Sequence, residues 1–323
     1  MVRTVVGVLR GGTSNEYPLS LKTGAAMLSA LPEERYDVRD IFIDRTGMWH
    51  SRGRPTSPAR ALTQIDVALN ALHGGVGEDG TVQRLLERAG IPYAGSSPSA
   101  ANLAHHKART REMLSTAGIV IPQGISFNLD SGLTTSQMAR QVFERFGPPY
   151  VVKPATEGAS NGILISATIV DLPDALGDIL DAYHAVVVEE FIRGHDATVS
   201  ILQDFRGEEL YAFPPAHLIV PDNSRIIRPE HHADGNLIVS VPSNFSHEEK
   251  NALMHMARVA HRTLGLAHFS RTDFRLTPRR AYLLEVNSTP KLYEGSVQHQ
   301  MLESVGSSIS EYLEHSIGLA LAR

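Results

Sequence analysis

Asp273, Glu285 and Asn287 stand at a spacing that can build a site for a hard cation. Phe269 to Leu276 and Ala281 to Asn287 read as two strands joined through Thr277-Pro278-Arg279-Arg280. With a loop of Pro278 to Arg280, antiparallel pairing sets Asp273 opposite Glu285 and Arg271 opposite Asn287. Alternate residues of a strand share a face, so these four side chains point one way while Leu284 and Val286 point into the core. Opposed carboxylates repel unless a cation lies between them, and an asparagine adds a neutral oxygen that Mg²⁺ accepts. Arg271 could instead bind a phosphoryl oxygen. The competing interpretation is a solvent-facing strand pair whose acids are balanced by arginine. A one-residue slip in the turn would dismantle the site.

A second group lies upstream. Lys153 ends the apolar strand Tyr150 to Lys153 and precedes the loop Glu157-Gly158-Ala159-Ser160-Asn161-Gly162. Backbone N–H groups in such a loop can fold over a triphosphate, although no Gly-Lys-Ser/Thr follows as in a Walker A sequence. An ordinary glycine turn would look the same. Val186 to Ile192 ends in Glu189, Glu190, Phe191 and Ile192, which can serve as an adenine rim or as a strand leaving the core. Lys107 lies on a helical segment, where a lysine is ordinarily a solvated charge.

The elements that position these groups alternate. The apolar run Val5 to Leu9, then Val38 to Ile43, Ile65 to Leu72 and Ile91 to Ala94 read as strands, separated by helical patterns at Leu21, Ala25 and Leu28 and at Thr81 to Ala89. Such β-α-β alternation predicts an α/β unit with a parallel sheet, and Asp44 to Arg60 is its loosest stretch. A long helical segment follows from Ser99 to Ala117, then strand, helix and strand at Ile119 to Phe127, Gln137 to Phe146 and Tyr150 to Lys153. The remainder holds strands at Ala197 to Gln203 and Leu210 to Phe213, a polar loop from Pro221 to Asn236, and a tail helix from about Met301. Ser246 with Glu249 three residues on is a capping box, and Leu253, Met256, Ala257, Ala260 and Leu264 give the following helix one buried face. The expected division is residues 1–105, 106–193 and 194–323.

Composition narrows the function. The chain has 323 residues, 42% hydrophobic and 20% charged, enough for two or three packed units. A formal charge of −5 with interspersed signs lacks the basic footprint that nucleic acid requires. No run approaches the roughly 18 to 20 apolar residues of a membrane span, and the start reads as a strand rather than a signal, so a soluble cytoplasmic enzyme is expected. With no cysteine, disulfides, thiolate nucleophiles and Cys-ligated metals are excluded. Gly11-Gly12-Thr13-Ser14-Asn15-Glu16 lacks the Gly-x-Gly-x-x-Gly spacing of a dinucleotide fold.

Taken in order, these pieces resemble the D-alanine–D-alanine ligase family of the ATP-grasp superfamily over nearly the whole chain. The matching stretches are Val8 to Glu16 with Leu19 to Gly24, Ala71 to Gly80, Pro92 to Ser96, Val151 to Pro154 with Glu157 and Gly158, Arg271 with Asp273, and Leu283 to Pro290. The resemblance implies a parallel-sheet, Rossmann-like first domain, a small central α+β domain, a C-terminal α+β domain, and formation of D-alanyl-D-alanine for peptidoglycan through an acyl phosphate. It implies that Lys107 and Lys153, with the Glu157 loop, meet ATP phosphates, and that Glu189, Glu190, Phe191, Ile192 and Asp196 surround adenine and ribose. Asp273, Glu285 and Asn287 would hold Mg²⁺, or Mn²⁺ in its place. Glu16 would hold the amino group of the first amino acid, His73 would lie near its carboxylate, Arg271 would stabilise the acyl-phosphate and tetrahedral states, and Ser296 would face the second substrate. A homodimer through the first domain is also implied.

Three departures fall around the substrate. The family's serine in the glycine loop is Ala159 here, with Ser160 next to it. An ungapped count puts His231 and His232 where the family has Lys-Tyr. After Pro290 the family has glycine and methionine, and this chain has Lys291 and Leu292. The ammonium of Lys291 could pair with an acidic second substrate or reach solvent. A related ligase for other amino acids and a non-catalytic nucleotide-binding relative therefore stay open as alternatives.

Overall fold

The computed structural model describes residues 3–158, 160–220, 226–227 and 237–322. Ala159, His231 and His232 lie outside the described residues. Three sheets organise the described part of the chain.

The first sheet contains β1 (Thr4–Gly11), β2 (Tyr36–Ile43), β3 (Trp49–Ser51), β4 (Arg54–Thr56), β5 (Val67–Asn70) and β6 (Tyr93–Ala94), in the order β4-β3-β2-β1-β5-β6. β1, β2, β5 and β6 are parallel, as the apolar runs predicted. The stretch expected to be loosest instead forms the antiparallel edge pair β3 and β4, closed by Arg52 and Gly53 at positive φ. Helices α1 (Tyr17–Ala30), α2 (Pro58–Leu62) and α3 (Thr81–Ala89) accompany this sheet.

The helical segment expected from Ser99 to Ala117 is broken. α4 (Pro98–His105) and α5 (Lys107–Thr116) meet at His106, whose φ of −94 and ψ of 92 leave the helical region. The break turns Lys107 onto the central unit, where its backbone N–H donates to Ala155 O at 2.8 Å.

β7 (Gly124–Asn128), β8 (Tyr150–Pro154), β9 (Leu164–Ser166) and β10 (Ala185–Glu190) form an antiparallel sheet in the order β7-β10-β8-β9. The strand expected at Ile119 begins only at Gly124. α6 (Thr135–Phe143) and α7 (Leu172–Tyr183) cover one face, where Met138, Val142, Leu172 and Leu176 pack against Tyr150, Val152, Val186 and Val188. Period-two alternation then sends Val151 and Lys153 to the opposite face.

The third sheet holds β11 (His195–Phe205), β12 (Glu208–Ala212), β13 (Ala216–Ile219), β14 (Ile238–Ser240), β15 (Phe269–Leu276) and β16 (Ala281–Asn287). Its order is β14-β13-β11-β15-β16, with β12 also on β11. α8 (His247–Thr263) lies across it, opened by the expected reciprocal capping of Ser246 and Glu249. Leu253, Ala257, Ala260 and Leu264 are buried as their spacing required, each leucine contributing about 1.5–3 kcal/mol. The tail is two helices, α9 (Val297–Ser304) and α10 (Ile309–Leu321), because Gly306 at positive φ ends the first of them. α10 packs Tyr312, Leu313 and Ile317 against the first sheet's core, so the end of the chain returns to its beginning. Among the described residues no helix is long and apolar enough to cross a membrane.

Candidate active site

The acidic hairpin reaches the expected pairing by an unexpected route. Thr277 and Arg280 close a two-residue turn, with Thr277 N donating to Arg280 O at 3.0 Å, so the expected three-residue loop is one residue too long. From there Leu276 pairs with Ala281 and Phe274 with Leu283. Continued without interruption, that register would put Asp273 opposite Leu284. A β-bulge between Asp273 and Phe274 takes up the extra residue, so that Asp273 faces Glu285 and Arg271 faces Asn287. Leu284, expected in the core with Val286, is the bulged residue and lines the cavity instead; Val286 is buried.

Asp273 is the hub of this face. Arg271 grips it at two points, Nε to Oδ1 at 3.0 Å and Nη2 to Oδ2 at 2.8 Å. Thr198 Oγ1 donates to Oδ1 at 2.6 Å, which follows from the β11–β15 register that pairs Thr198 with Asp273. Asn287 Nδ2 donates to Oδ2 at 3.2 Å. Burial opposes ionisation of Asp273, yet the Arg271 charge, with hydrogen bonds from Arg271 and Thr198, outweighs it and holds the carboxyl below its usual range. Burial likewise opposes the charge on Arg271, and Asp273 more than restores it. Two carboxylates and an amide on adjacent strands form a set of hard oxygen donors that fits a divalent cation of the Mg²⁺ type.

A second charged cluster lies on the central sheet. Glu189, 2% exposed, accepts from Lys153 Nζ at 2.6 Å and from Arg111 Nη1 at 2.6 Å. Lys153, 5% exposed, is thereby fixed at the cavity wall. The Glu190 carboxylate accepts from Gln123 N at 2.8 Å. With both carboxylates engaged inside the protein, the rim they were expected to form offers backbone groups and the side chains of Phe191 and Ile192. Lys107 Nζ donates to the carbonyl of Glu157; burial lowers its pKa, with Glu285 acting against that shift.

These parts converge on one cavity between the second and third sheets. Its apolar lining comes from Val151, Ile163 and Ile192 on one side and from Leu218, Ile227, Phe274 and Leu284 on the other. Lys153, Asp196, Arg271, Asp273, Arg275 and Glu285 supply charged lining and Asn287 a neutral amide, and Glu16, Glu78, Ser160, Glu189, Glu190, Phe191 and Lys291 also face it. Asp196 pairs with Arg275 at 3.0 Å, and burial, eased by Arg275, raises its pKa to about 6.

Other expected site residues stand behind the lining. His73 is buried, with Nε2 2.8 Å from Thr23 Oγ1 and Nδ1 3.7 Å from Glu78 Oε1. His105 Nδ1 lies 3.6 Å from the other Glu78 oxygen. Burial pushes the Glu78 pKa up, but His105 and His73 outweigh it and hold the carboxyl well below its normal range. Ser296 caps α9, its Oγ accepting from His299 N at 3.2 Å. Lys107 and Glu157 line a small adjoining pocket with Glu285 and Asn287. Burial raises the pKa of Glu157.

At the remaining end, residues distant in sequence meet. Glu16 is 4% exposed, and Lys291 Nζ lies 3.3 Å from its Oε2. A Cβ built on Gly158 would fall 2.6 Å from Glu16 Oε1, so a larger residue there would push this carboxylate aside. Sequence reasoning missed Thr198, Arg111, Arg275 and Glu78 as members of the site. Glu78 was visible in the motif His73 to Gly80, whereas the others depend on strand register and helix docking.

A cleft between a small antiparallel sheet with a glycine loop and a second sheet bearing paired acids is the architecture of an ATP-grasp ligase. A family model described as D-ala D-ala ligase C-terminus matches residues 113–317, and one described as D-ala D-ala ligase N-terminus matches residues 50–96. The D-alanine–D-alanine ligase of Desulforudis audaxviator is 34% identical over 327 residues, covering 100% of both chains. The D-alanine–D-alanine ligase of Bacillus anthracis, solved in complex with ATP, aligns with a TM-score of 0.81 at 25% identity over 99% of this chain and 98% of that one. The VanG D-Ala:D-Ser ligase of Enterococcus faecalis shares the fold with a TM-score of 0.86 at 24% identity, over 99% and 100% of the two chains. The chain belongs to the D-alanine–D-alanine ligase family.

Proposed function

We propose that this chain is an ATP-dependent ligase that joins two molecules of D-alanine for peptidoglycan precursors through an acyl phosphate. The observation that carries this reading is the cavity that combines the Asp273, Glu285 and Asn287 face with Lys153 and Arg271. In the first step the donor carboxylate attacks the γ-phosphorus of ATP and ADP leaves. In the second the acceptor amine attacks the acyl carbon, loses a proton and expels phosphate. Lys153 and Lys107 hold phosphate oxygens and offset the charge that develops between them. Asp273, Glu285 and Asn287 hold Mg²⁺, which would supply charge neutralisation at the phosphates. The apolar walls from Val151, Ile163, Ile192, Phe274 and Leu284 take the adenine, the backbone near Glu189 to Ile192 reads its edge, and Asp196 accepts from the ribose.

Glu16 takes the donor ammonium, and Arg271 serves the acyl phosphate and the tetrahedral state. His73 acts through Glu78 rather than by contact, given its buried position. Ser160 and the Glu157 loop close over the reacting groups, and Ser296 orients the segment that faces the acceptor. The same reading takes the chain as three units divided near residues 105 and 193, working as a cytoplasmic homodimer.

A related ligase with other amino-acid substrates is the second reading, favoured by the Lys291–Glu16 pair in the donor region. ADP release measured against a panel of D- and L-amino acids separates the two. Turnover confined to D-alanine removes the second, and turnover that excludes D-alanine removes the first.

A further inference from the structure

Arg111 follows Lys107 by one helical turn on α5, so the two side chains leave the same face of that helix. Lys107 Nζ donates to the Glu157 carbonyl, while the Arg111 guanidinium reaches β10, its Nη1 donating to Glu189 Oε1 at 2.6 Å. Nη2 donates to Pro122 O, also at 2.6 Å, in the segment that leads into β7. The planar fork therefore holds a carboxylate and a backbone carbonyl at once, a geometry that a lysine does not reproduce. Gly124 leaves room for it. The β7–β10 register sets Gly124 beside Glu189, and a Cβ there would stand 2.6 Å from Arg111 Nη2 and 2.9 Å from Val188 O.

A carboxylate buried as deeply as Glu189 needs cationic partners, because an unpaired buried charge is strongly destabilising. Its two oxygens are divided, Oε1 to Arg111 and Oε2 to Lys153. An ammonium carries three N–H donors but a single charge. With Lys153 as its one cation, Glu189 would neutralise that charge and leave little of it for a ligand in the cavity. With Arg111 present, two cations face one anion, and Lys153 keeps both charge and donors to spare. The field of this group extends to Lys107: burial lowers the Lys107 pKa, Glu285 opposes that shift, Lys153 adds to it and Glu189 opposes it.

We infer that Arg111 is a positioning residue for nucleotide binding: it takes up the charge of Glu189, so that the Lys153 ammonium stays available to an ATP phosphate. Arg111 acts from behind the cavity wall, where it lines a small pocket with Lys107, Thr110 and Leu283. This rests on the reading of Lys153 as a residue that meets ATP phosphates.

The test uses the full-length enzyme with ATP, Mg²⁺ and D-alanine, and compares Arg111→Met in two backgrounds, wild type and Glu189→Gln. In the wild-type background the KM for ATP is expected to rise about tenfold, the effect of one charge contact, while the KM for D-alanine moves less than about twofold. In the Glu189→Gln background, where no charge is left for Arg111 to take up, the same substitution should move the KM for ATP less than about threefold. A rise of equal size in both backgrounds would show that Arg111 only braces α5, and would overturn the proposal. Equal rises for ATP and D-alanine, or no rise for ATP, would overturn it as well. Urea unfolding establishes that each variant is folded, and Arg111→Gln replaces Arg111→Met if that variant is not. Lys153→Met separates the two levels of the argument. If it leaves the KM for ATP unchanged, the reading of Lys153 fails; if it raises that KM while Arg111→Met changes nothing, the role of Arg111 alone is wrong.

Discussion

The two ends of the cavity are built by different means. At the proposed phosphate end, Arg271, Asp273, Glu285 and Asn287 sit within 17 positions of one another on a single hairpin, and backbone ladders fix their relations. At the proposed donor end, Glu16, Gly74, Gly158 and Lys291 come from four distant parts of the chain and meet only when the three sheets have packed. The first arrangement survives small shifts between sheets, because its geometry is covalently short-ranged. The second depends on those shifts, so on the proposed reading substrate choice can change there while the phosphate machinery stays as it is.

Single substitutions can break that contrast. Asp273→Asn removes the charge on which Arg271, Thr198 and Asn287 converge, and ADP release should fall by about 10³-fold, the scale of losing one preorganised electrostatic contact in a dry site. A smaller loss, under about tenfold, would mean that the hairpin is not the phosphate end. Lys153→Met leaves Glu189 buried with Arg111 alone, which should cost about 3–5 kcal/mol in urea unfolding; an unchanged midpoint would show that Arg111 suffices.

His261 tests the support behind the hairpin. Its Nδ1 lies 2.8 Å from Ser270 Oγ on β15, and burial, reinforced by Arg262 and His268, depresses its pKa from 6.5 to about 4. The folded pKa is below the unfolded one, so between these values the unfolded state binds the additional proton. Stability from this group is therefore full above pH 6.5 and lost as pH falls toward 4, by up to ~3 kcal/mol. In His261→Asn that portion of the acid dependence should disappear from unfolding curves taken across this range. Gly158→Ala gives the smallest expected effect and belongs to the donor end: a methyl group against Glu16 should raise the donor KM about tenfold, with ATP affinity retained. Equal losses for donor and ATP would show that the loop serves both ends alike.

How far the site could be read from sequence follows the same contrast. The apolar runs of β1, β2 and β5 and the capping box at Ser246 were legible because period and cap chemistry are local. The hairpin was legible in outcome but not in route, since nothing in Ala281 to Asn287 announces a bulge at Leu284 that cancels a shorter turn. Thr198 and Arg275 join the site through pairing with β11, which local pattern does not specify. Lys291 was visible as a departure from the family, yet its partner Glu16 lies 275 positions away and is set by packing alone. The break at His106 and the edge strands β3 and β4 were missed because short polar segments carry little periodicity.

The acyl-phosphate route is tested most directly by following oxygen. D-alanine labelled with ¹⁸O in its carboxylate is turned over with ATP and Mg²⁺, and the released phosphate and dipeptide are weighed by mass spectrometry. One labelled oxygen in each phosphate, with one D-alanyl-D-alanine per ADP, is the predicted result. Unlabelled phosphate, or ADP release indifferent to every amino acid offered, would contradict the account.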